Sequence, residues 1–328
     1  MKATAAPIGA DLLETGEAAN LLGKLRERIQ TIIIGKDDVV ERVVTCLVAK
    51  GHVMISDVPG VGKTTLAQSL ARSIEGVFQR IQFTNDMLPS DVLGVSIYDP
   101  STREFKFRPG PLFGNIVLAD EINRTTPKTQ SALLEAMSEG HVTVDDTTHP
   151  LPMPFMVLAT LNPIEFAGTF MLPESQMDRF LLRVAVGYPD EASERRILSE
   201  IDPARRVGNL NPALTLLQLR GIQSAADKVL VESPIVDYIL ALTRRTRDHP
   251  QIHLGVSPRG ALALRAAVRA LALVRGRDHV LPDDVKELVG PTFAHRLVLA
   301  SSASHRSQDF ALAQAILDEI LSEVPVPI

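Results

Sequence analysis

The spacing of apolar and polar positions changes once along the chain, and this change divides the chain into two parts. Five short apolar runs lie in the first part, at 52–56, 78–83, 115–120, 155–160 and 181–186. Continuous runs of this kind are typical of strands buried on both faces of a parallel sheet. Strands that alternate with helices indicate a doubly wound α/β fold. We therefore predict a five-stranded parallel α/β core over 19–189, after a flexible tail over 1–18.

Helical spacing of apolar residues dominates from Glu191 onward, so a second, all-helical domain is predicted over 190–328. Its helices are expected at 191–201, 215–229, 233–248, 258–275, 282–299 and 309–324. In the first part, helices are expected at 19–50, 63–73 and 127–140. A β-hairpin is predicted to run from 141–144 to 151–153, with its turn at 145–148.

Composition narrows the class of protein. The 328 residues are 45% hydrophobic and 22% charged, with a net charge of −5, which argues against a general nucleic-acid binder. The single cysteine, Cys46, excludes an intramolecular disulfide framework and a cysteine-based zinc site. No apolar run approaches the roughly 18–20 residues of a membrane span, and the N-terminus does not resemble a signal peptide. We expect a cytoplasmic protein without direct membrane contact.

A phosphate-binding loop is predicted between the first strand and the helix that follows it. Residues 57–64 read Asp-Val-Pro-Gly-Val-Gly-Lys-Thr. A tight glycine-rich turn presents backbone N–H groups to phosphate oxygens, and the helix N-terminus adds its positive dipole end. Lys63 is expected to reach the β- and γ-phosphates of ATP, and the Thr64 hydroxyl to bind Mg²⁺. The predicted nucleotide-binding residues here are Asp57, Val58, Pro59, Gly60, Val61, Gly62, Lys63, Thr64 and Thr65.

Polar residues follow two of the later apolar runs. Asp120 and Glu121 come directly after 116–119, and Asn162 follows 155–160. The carboxyl ends of parallel strands meet at one edge of the sheet, so these side chains are expected beside the phosphate loop. Asp120 suits Mg²⁺, Glu121 suits polarisation of the attacking water, and Asn162 suits orientation of that water without repelling the γ-phosphate.

The order of these and further motifs resembles the MoxR family of AAA+ ATPases, and the resemblance covers about residues 30–300. The stretches that carry it are 57–64, 80–84, 88–91, 107–111, 119–124, 128–137, 162–165, 172–174, 177–180 and 257–260. Phosphate-loop and acid motifs alone would indicate only a P-loop NTPase.

This resemblance implies a role for residues outside the phosphate loop. Asn162 corresponds to sensor 1, and Arg259 to a sensor 2 that reaches the γ-phosphate of its own subunit from a helical lid. Arg179, expected to be exposed, corresponds to an arginine finger for a neighbour's nucleotide; Arg124 is an alternative. Ile34 and Gly35 lie where the family packs the adenine. Residues 141–154 are matched to a hairpin inserted in helix 2 of the core.

Four further positions depart from the family pattern besides Asp57, which replaces the first glycine of the phosphate loop. Leu161 stands where glutamine is frequent, Phe166-Ala167 where two polar residues are frequent, and Met171 where proline is frequent. None of these changes removes a catalytic group.

The resemblance implies a Mg²⁺-dependent ATPase that assembles into a homo-oligomeric ring, usually a hexamer. It would remodel a protein client as a chaperone, with a protein containing a von Willebrand factor A domain as partner. A nucleotide-gated scaffold with little turnover is the first alternative, and the intact Glu121 argues against it. A DNA-dependent ATPase is the second, and the acidic composition argues against nucleic-acid binding.

Overall fold

A five-stranded parallel sheet forms the centre of the first part of the chain. The computed structural model describes residues 13–57, 60–161, 170–199, 203–300 and 306–327. Numbered along the chain, the strands of this sheet are β1 (Val53–Ser56), β2 (Phe78–Gln82), β5 (Ile116–Asp120), β8 (Met156–Leu161) and β9 (Leu182–Val184). Their order is β2-β5-β8-β1-β9, and every neighbouring pair is parallel. The predicted α/β core is confirmed.

Successive residues of the central strands enter two different hydrophobic cores, as strands buried on both faces require. Ile116 and Leu118 belong to one core, whereas Val117 and Ala119 belong to the other. The first core is covered by α1 (Thr15–Gln30), α2 (Asp37–Val48) and α3 (Lys63–Ser73), and the second by α4 (Pro89–Leu93) and α5 (Pro127–Glu139).

Among its described residues, the second part of the chain is helical apart from one short strand pair and the turns between elements. Its helices are α7 (Glu191–Ser199), α8 (Pro203–Gly208), α9 (Leu216–Ala226), α10 (Ser233–Asp248), α11 (Pro258–Val274), α12 (Pro282–Phe293) and α13 (Arg306–Glu323), with α6 (Glu174–Met177) lying just before β9. β10 (Ile252–Leu254) pairs with β11 (Val298–Leu299). Side chains of α11 and α12 enter the same core as those of α1 and α2, so the two parts share one hydrophobic core.

Two expectations about boundaries are corrected. The helix α1 begins at Thr15, inside the tail expected over 1–18, because Ala18 and Leu22 start a buried stripe. The helix expected over 282–299 ends at Phe293. A 3₁₀ turn over 294–296 follows it, and the chain then enters β11.

In the part of the chain that the structure describes, two β-hairpins stand outside the central sheet. β6 (His141–Val144) pairs with β7 (Thr147–Pro150). Its turn is only Asp145-Asp146, both with positive φ, as a two-residue primed turn requires; the turn expected at 145–148 is therefore too long. A second hairpin, β3 (Gly94–Asp99) with β4 (Glu104–Pro109), follows α4. This hairpin, and not 141–154, interrupts the second helical crossover of the core.

Within the residues described, no helix combines the length and apolarity that crossing a bilayer needs.

Candidate active site

Two glycines within the phosphate loop have a left-handed backbone conformation. Gly60 has φ 85° and Gly62 has φ 88°, a conformation that L side chains rarely adopt. Apart from its chain neighbours, no atom of the described residues lies within 4 Å of where a Cβ would stand at either position, so open space remains beside the loop for a phosphate group. The helix α3 begins at Lys63, with its N-terminus at this space. Val58 and Pro59, also predicted to bind nucleotide, lie outside the described residues.

Lys63 and Asp57 face each other across the loop. The Lys63 ammonium donates to the backbone carbonyl of Asp57 at 3.2 Å. The Asp57 carboxylate in turn accepts from the backbone N–H of Gly187 at 2.6 Å. The aspartate in place of the usual glycine therefore ties the start of the phosphate loop to the segment that leaves β9.

The carboxylate of Asp120 is held on both of its oxygens at the end of β5. The Thr160 hydroxyl donates to Oδ1 at 2.7 Å, and the Arg80 guanidinium donates to Oδ2 at 2.7 Å. Thr160 is fully buried, whereas the Arg80 side chain is 47% exposed. The fixed Thr160 contact orients the carboxylate, and the exposed arginine can move aside.

Glu121 adopts a left-handed backbone conformation with φ 58° and ψ 50°. Its backbone N–H donates to the same Thr160 hydroxyl at 2.8 Å. Its carboxylate oxygen Oε2 accepts from the Gln82 amide at 2.9 Å and lies 3.2 Å from Nε of Arg124. The predicted water-polarising carboxylate is therefore engaged by two neighbouring side chains in this structure.

These contacts follow from strand pairing. Gln82 lies opposite Asp120 in the register of β2 with β5, and Thr160 comes directly after Ala159, the last residue of β8 that pairs with β5. Arg80, Gln82 and Thr160 were not predicted as site residues from the sequence, because their contacts depend on a register that one sequence does not reveal. Asn162, the predicted sensor 1, lies outside the described residues, as does Phe166-Ala167.

Arg179 is half-buried and folded back onto α5, which corrects the expectation that it is exposed. Its guanidinium donates to the Leu134 carbonyl and to the Ser138 hydroxyl, at 2.5 and 2.6 Å. Ser138 lies in the last turn of α5, where a cation is favoured by the macrodipole.

Arg259 stands in the first turn of α11, and its side chain is 57% exposed. Its Nε lies 3.8 Å from Oδ2 of Asp178, the residue just before Arg179. The other carboxylate oxygen of Asp178 accepts from Nε of the buried Arg296 at 2.6 Å. Two arginines of the helical part thus meet one carboxylate of the core, an arrangement that the sequence did not predict.

Ile34 and Gly35 form the bend between α1 and α2. Ile34 is buried. Gly35 has φ 70°, and a Cβ there would collide with the side chain of Ser193 on α7. The Lys36 ammonium donates to the carbonyl of Tyr188 at 2.6 Å. This bend therefore packs against the segment that connects β9 to the helical part.

The donor set fits a magnesium ion bound together with a nucleotide. Thr64 ends the phosphate loop and is the second residue of α3, and Asp120 ends β5 at the same edge of the sheet. Hydroxyl and carboxylate oxygens are the protein ligands that Mg²⁺ takes, in small number, with phosphate oxygens and water completing its shell. Within the described ranges no cluster of three or more histidine, cysteine or acidic residues forms a separate metal site.

Comparison with known proteins agrees with this arrangement. Residues 52–182 match the ATPase family associated with various cellular activities (AAA), and residues 244–320 match the AAA lid domain. The protein YeaC of Bacillus subtilis is 49% identical over 94% of this chain and 95% of its own. Chaperone MoxR1 of Mycobacterium tuberculosis is 41% identical over 91% of this chain and 80% of its own. A solved structure of a presumed ATPase from Cytophaga hutchinsonii, 33% identical, has a TM-score of 0.84 and covers 96% of this chain and 97% of that one.

The fold, the phosphate loop and the lid define an AAA+ ATPase. Within that superfamily, identity over nearly the whole chain to relatives named MoxR shows the particular group. The chain belongs to the MoxR family.

Proposed function

We propose that this protein hydrolyses ATP to ADP and phosphate in a Mg²⁺-dependent reaction. One observation carries the proposal. The phosphate loop, with its two left-handed glycines and the open space beside them, lies at the same edge of the sheet as the pair Asp120-Glu121. When bound, Mg²⁺ would neutralise charge on the β- and γ-phosphates. Thr64 and Asp120 are the residues that would hold it.

The chain's own groups supply the rest of the chemistry. Lys63 binds the phosphates as a point charge once it leaves the Asp57 carbonyl. Glu121 polarises the attacking water, which requires its carboxylate to leave Gln82 and Arg124. Arg259 adds a guanidinium that can contact two γ-oxygens at once. Asn162 is proposed to orient the water, and Ile34 with Gly35 to pack the adenine.

We infer that the active form is a homo-oligomeric ring, usually a hexamer in this family, in which Arg179 completes a neighbour's site. Support comes from the family resemblance and from the position of Arg179 directly before β9. Its present bonds to α5 hold it against its own subunit, so assembly would have to release it. Arg124, which contacts Glu121, is the less favoured candidate for this trans role.

The proposed biological role is that of a chaperone that remodels a client protein. A relative covering most of the chain is named Chaperone MoxR1, and the resemblance adds a von Willebrand factor A domain protein as the expected partner. The client itself is a protein and not a nucleic acid, in keeping with the net charge of −5. Added DNA should leave the ATPase rate unchanged.

The testing experiment measures ATPase rate against protein concentration, with mass determined with and without ATP. A steep rise in specific activity together with a ring-sized mass supports shared sites. Glu121→Gln should bind ATP with very slow turnover, and Lys63→Ala should lose binding. Arg179→Ala should bind ATP without hydrolysis and regain turnover when mixed with Glu121→Gln subunits, which still carry Arg179. If Glu121→Gln keeps wild-type turnover, Glu121 is not the residue that polarises the attacking water.

A nucleotide-gated scaffold is the second candidate, and one observation favours it: both Gln82 and Arg124 engage the Glu121 carboxylate. If this engagement persists with ATP bound, turnover stays low and the nucleotide acts as a switch. Gln82→Ala separates the two candidates. A clear rise in the turnover of assembled protein supports a restrained ATPase, whereas an unchanged, near-zero turnover in an ATP-dependent ring supports the scaffold.

A further inference from the structure

Arg296 lies at the contact between the helical lid and the core, and it is almost fully buried, with 6% of its surface exposed. It stands on the 3₁₀ turn over 294–296. Its Nε donates to the Asp178 carboxylate at 2.6 Å, and its Nη2 donates to the carbonyls of Phe180 at 2.6 Å and of Asp178 at 3.3 Å. Its Nη1 donates to the carbonyls of Leu181, at 3.3 Å, and of Thr292.

All five N–H donors of this guanidinium are therefore used, and four of the five bonds reach residues 178–181. A lysine at this position has three donors and no planar fork, so it cannot reproduce the set. The neighbouring His295 is also buried, and its Nε2 donates to the Phe180 carbonyl at 3.0 Å. The carbonyls of Asp178, Phe180 and Leu181 thus accept hydrogen bonds from the lid, whereas the backbone N–H groups of 178–181 donate to carbonyls within the core.

The segment 178–181 carries Arg179, and its first residue contacts Arg259. Asp178 divides its carboxylate between the two lid arginines, with Oδ1 taking Arg296 and Oδ2 lying 3.8 Å from Nε of Arg259. Gly260, the next residue of α11, has no room for a side chain, because a Cβ there would lie 2.5 Å from Cγ1 of Val256 and 3.0 Å from Cδ of Arg296. The N-terminus of α11 is thereby seated directly on the Arg296 side chain.

We propose that Arg296, acting through Asp178, is a positioning residue that sets Arg179 and Arg259 together. The inference rests on the proposed roles of those two arginines. A shift of the lid that moves Arg259 also moves the carbonyls of 178–181, because Arg296 bonds to those carbonyls and packs against Gly260, the neighbour of Arg259. The site within a subunit and the arginine that it offers to its neighbour are then adjusted as one unit.

The test compares Arg296→Lys with Arg179→Ala and Arg259→Ala, each alone and each mixed with Glu121→Gln subunits. In such mixtures only the first partner hydrolyses ATP, and the Glu121→Gln subunit supplies an intact Arg179. Arg179→Ala has a defect in trans and should recover turnover, whereas Arg259→Ala has a defect in cis and should not.

Arg296→Lys should show both defects. Alone, its kcat should fall by about tenfold to a hundredfold, the scale of loss for a misplaced group, and its KM for ATP should rise. Mixing with Glu121→Gln should restore part of kcat and leave KM raised. Merely structural damage would lower the active fraction without producing this split. Arg269→Lys is the matched control, since Arg269 donates to the Val229 carbonyl inside the lid at 3.0 Å, and it should behave as wild type.

Asp178→Asn is the second variant, in case Arg296→Lys folds poorly. It keeps an acceptor for Arg296 and removes the negative charge that Arg259 faces, so it should show the same split in a milder form. Wild-type kcat and KM in either well-folded variant would overturn the proposal. So would a mixture with Glu121→Gln in which the variant behaves just like Arg179→Ala, with full recovery, or just like Arg259→Ala, with none. If the wild type does not hydrolyse ATP, or Arg179→Ala is never rescued, the proposed function has failed instead.

Discussion

Thr160 joins the two acids of the candidate site through one hydroxyl group. That hydroxyl donates to Asp120 and accepts from the backbone N–H of Glu121, at 2.7 and 2.8 Å. Thr160→Val keeps nearly the same shape and removes only these two bonds. The swap is not conservative, because the valine leaves both partners unsatisfied. Thr160→Ser keeps the hydroxyl and serves as the matched control.

The cost of Thr160→Val can be built from these two bonds. A hydrogen bond to a charged group contributes about 1.5–3 kcal/mol and a neutral one about 0.5–1.5 kcal/mol, so we expect a loss of about 2–4 kcal/mol in the free energy of unfolding. The bond to its N–H also holds Glu121 in its left-handed conformation, φ 58°. Once that bond is lost, ATP turnover should fall at least about tenfold, which corresponds to about 1.4 kcal/mol of barrier.

The assay pairs denaturant unfolding with steady-state ATPase measurement on the same samples. Thr160→Ser should retain most of both properties. Thr243→Val is a second control: this buried hydroxyl donates to the Ile239 carbonyl within α10 at 2.7 Å, so its loss should reduce stability modestly and leave turnover unchanged. Full stability and turnover in Thr160→Val would refute the view that this hydroxyl organises the acid pair. Lost stability with wild-type turnover would refute its link to catalysis.

Three further expectations follow from single residues. Asp57→Gly restores the usual loop glycine but removes the acceptor for the Gly187 N–H, so denaturant unfolding should show a loss of about 1–2 kcal/mol, while Asp57→Asn should lose less. Burial lowers the pKa of His52 from 6.5 to about 4. As the pH falls, His52 is therefore protonated in the unfolded chain before it is protonated in the folded one. The free energy of unfolding should fall by about 3 kcal/mol from pH 6.5 to pH 4. His52→Gln should flatten that slope, and an unchanged slope would contradict the assignment. Burial raises the pKa of the Cys46 thiol, so a thiol reagent should label it only at the rate of unfolding, and fast labelling of native protein would contradict this.

The central sheet could be predicted because burial on both faces leaves continuous apolar runs in the sequence. All five strands of the sheet lie within the predicted runs, apart from an extension of β8 to Leu161. The β3–β4 hairpin was not predicted. It stands outside the sheet and exposes large apolar side chains such as Tyr98 and Phe105, 48% and 73% exposed, so no continuous apolar run marks its strands.

The phosphate loop and the acid pair could also be predicted, since each role is carried by residues adjacent in sequence. The contacts that hold the loop and the acid pair in place could not be predicted. Gln82 reaches Glu121 through the pairing of β2 with β5, and Asp57 reaches Gly187 from 130 residues away. Such contacts arise from register and packing, which leave no local pattern. The proposed catalytic groups are therefore visible in the sequence, whereas the groups that hold them are visible only in the structure.

The sharing of hydrogen bonds between lid and core has a consequence for how the two parts work. Arg296 lies 118 residues beyond Asp178, yet it donates hydrogen bonds to the backbone carbonyls just before β9. The apolar side chains of α2 are likewise covered by α11. Since buried carbonyls without donors are costly, the lid cannot swing freely away from 178–181. Motion of the lid must instead carry that segment with it, and through it β9 and Arg179.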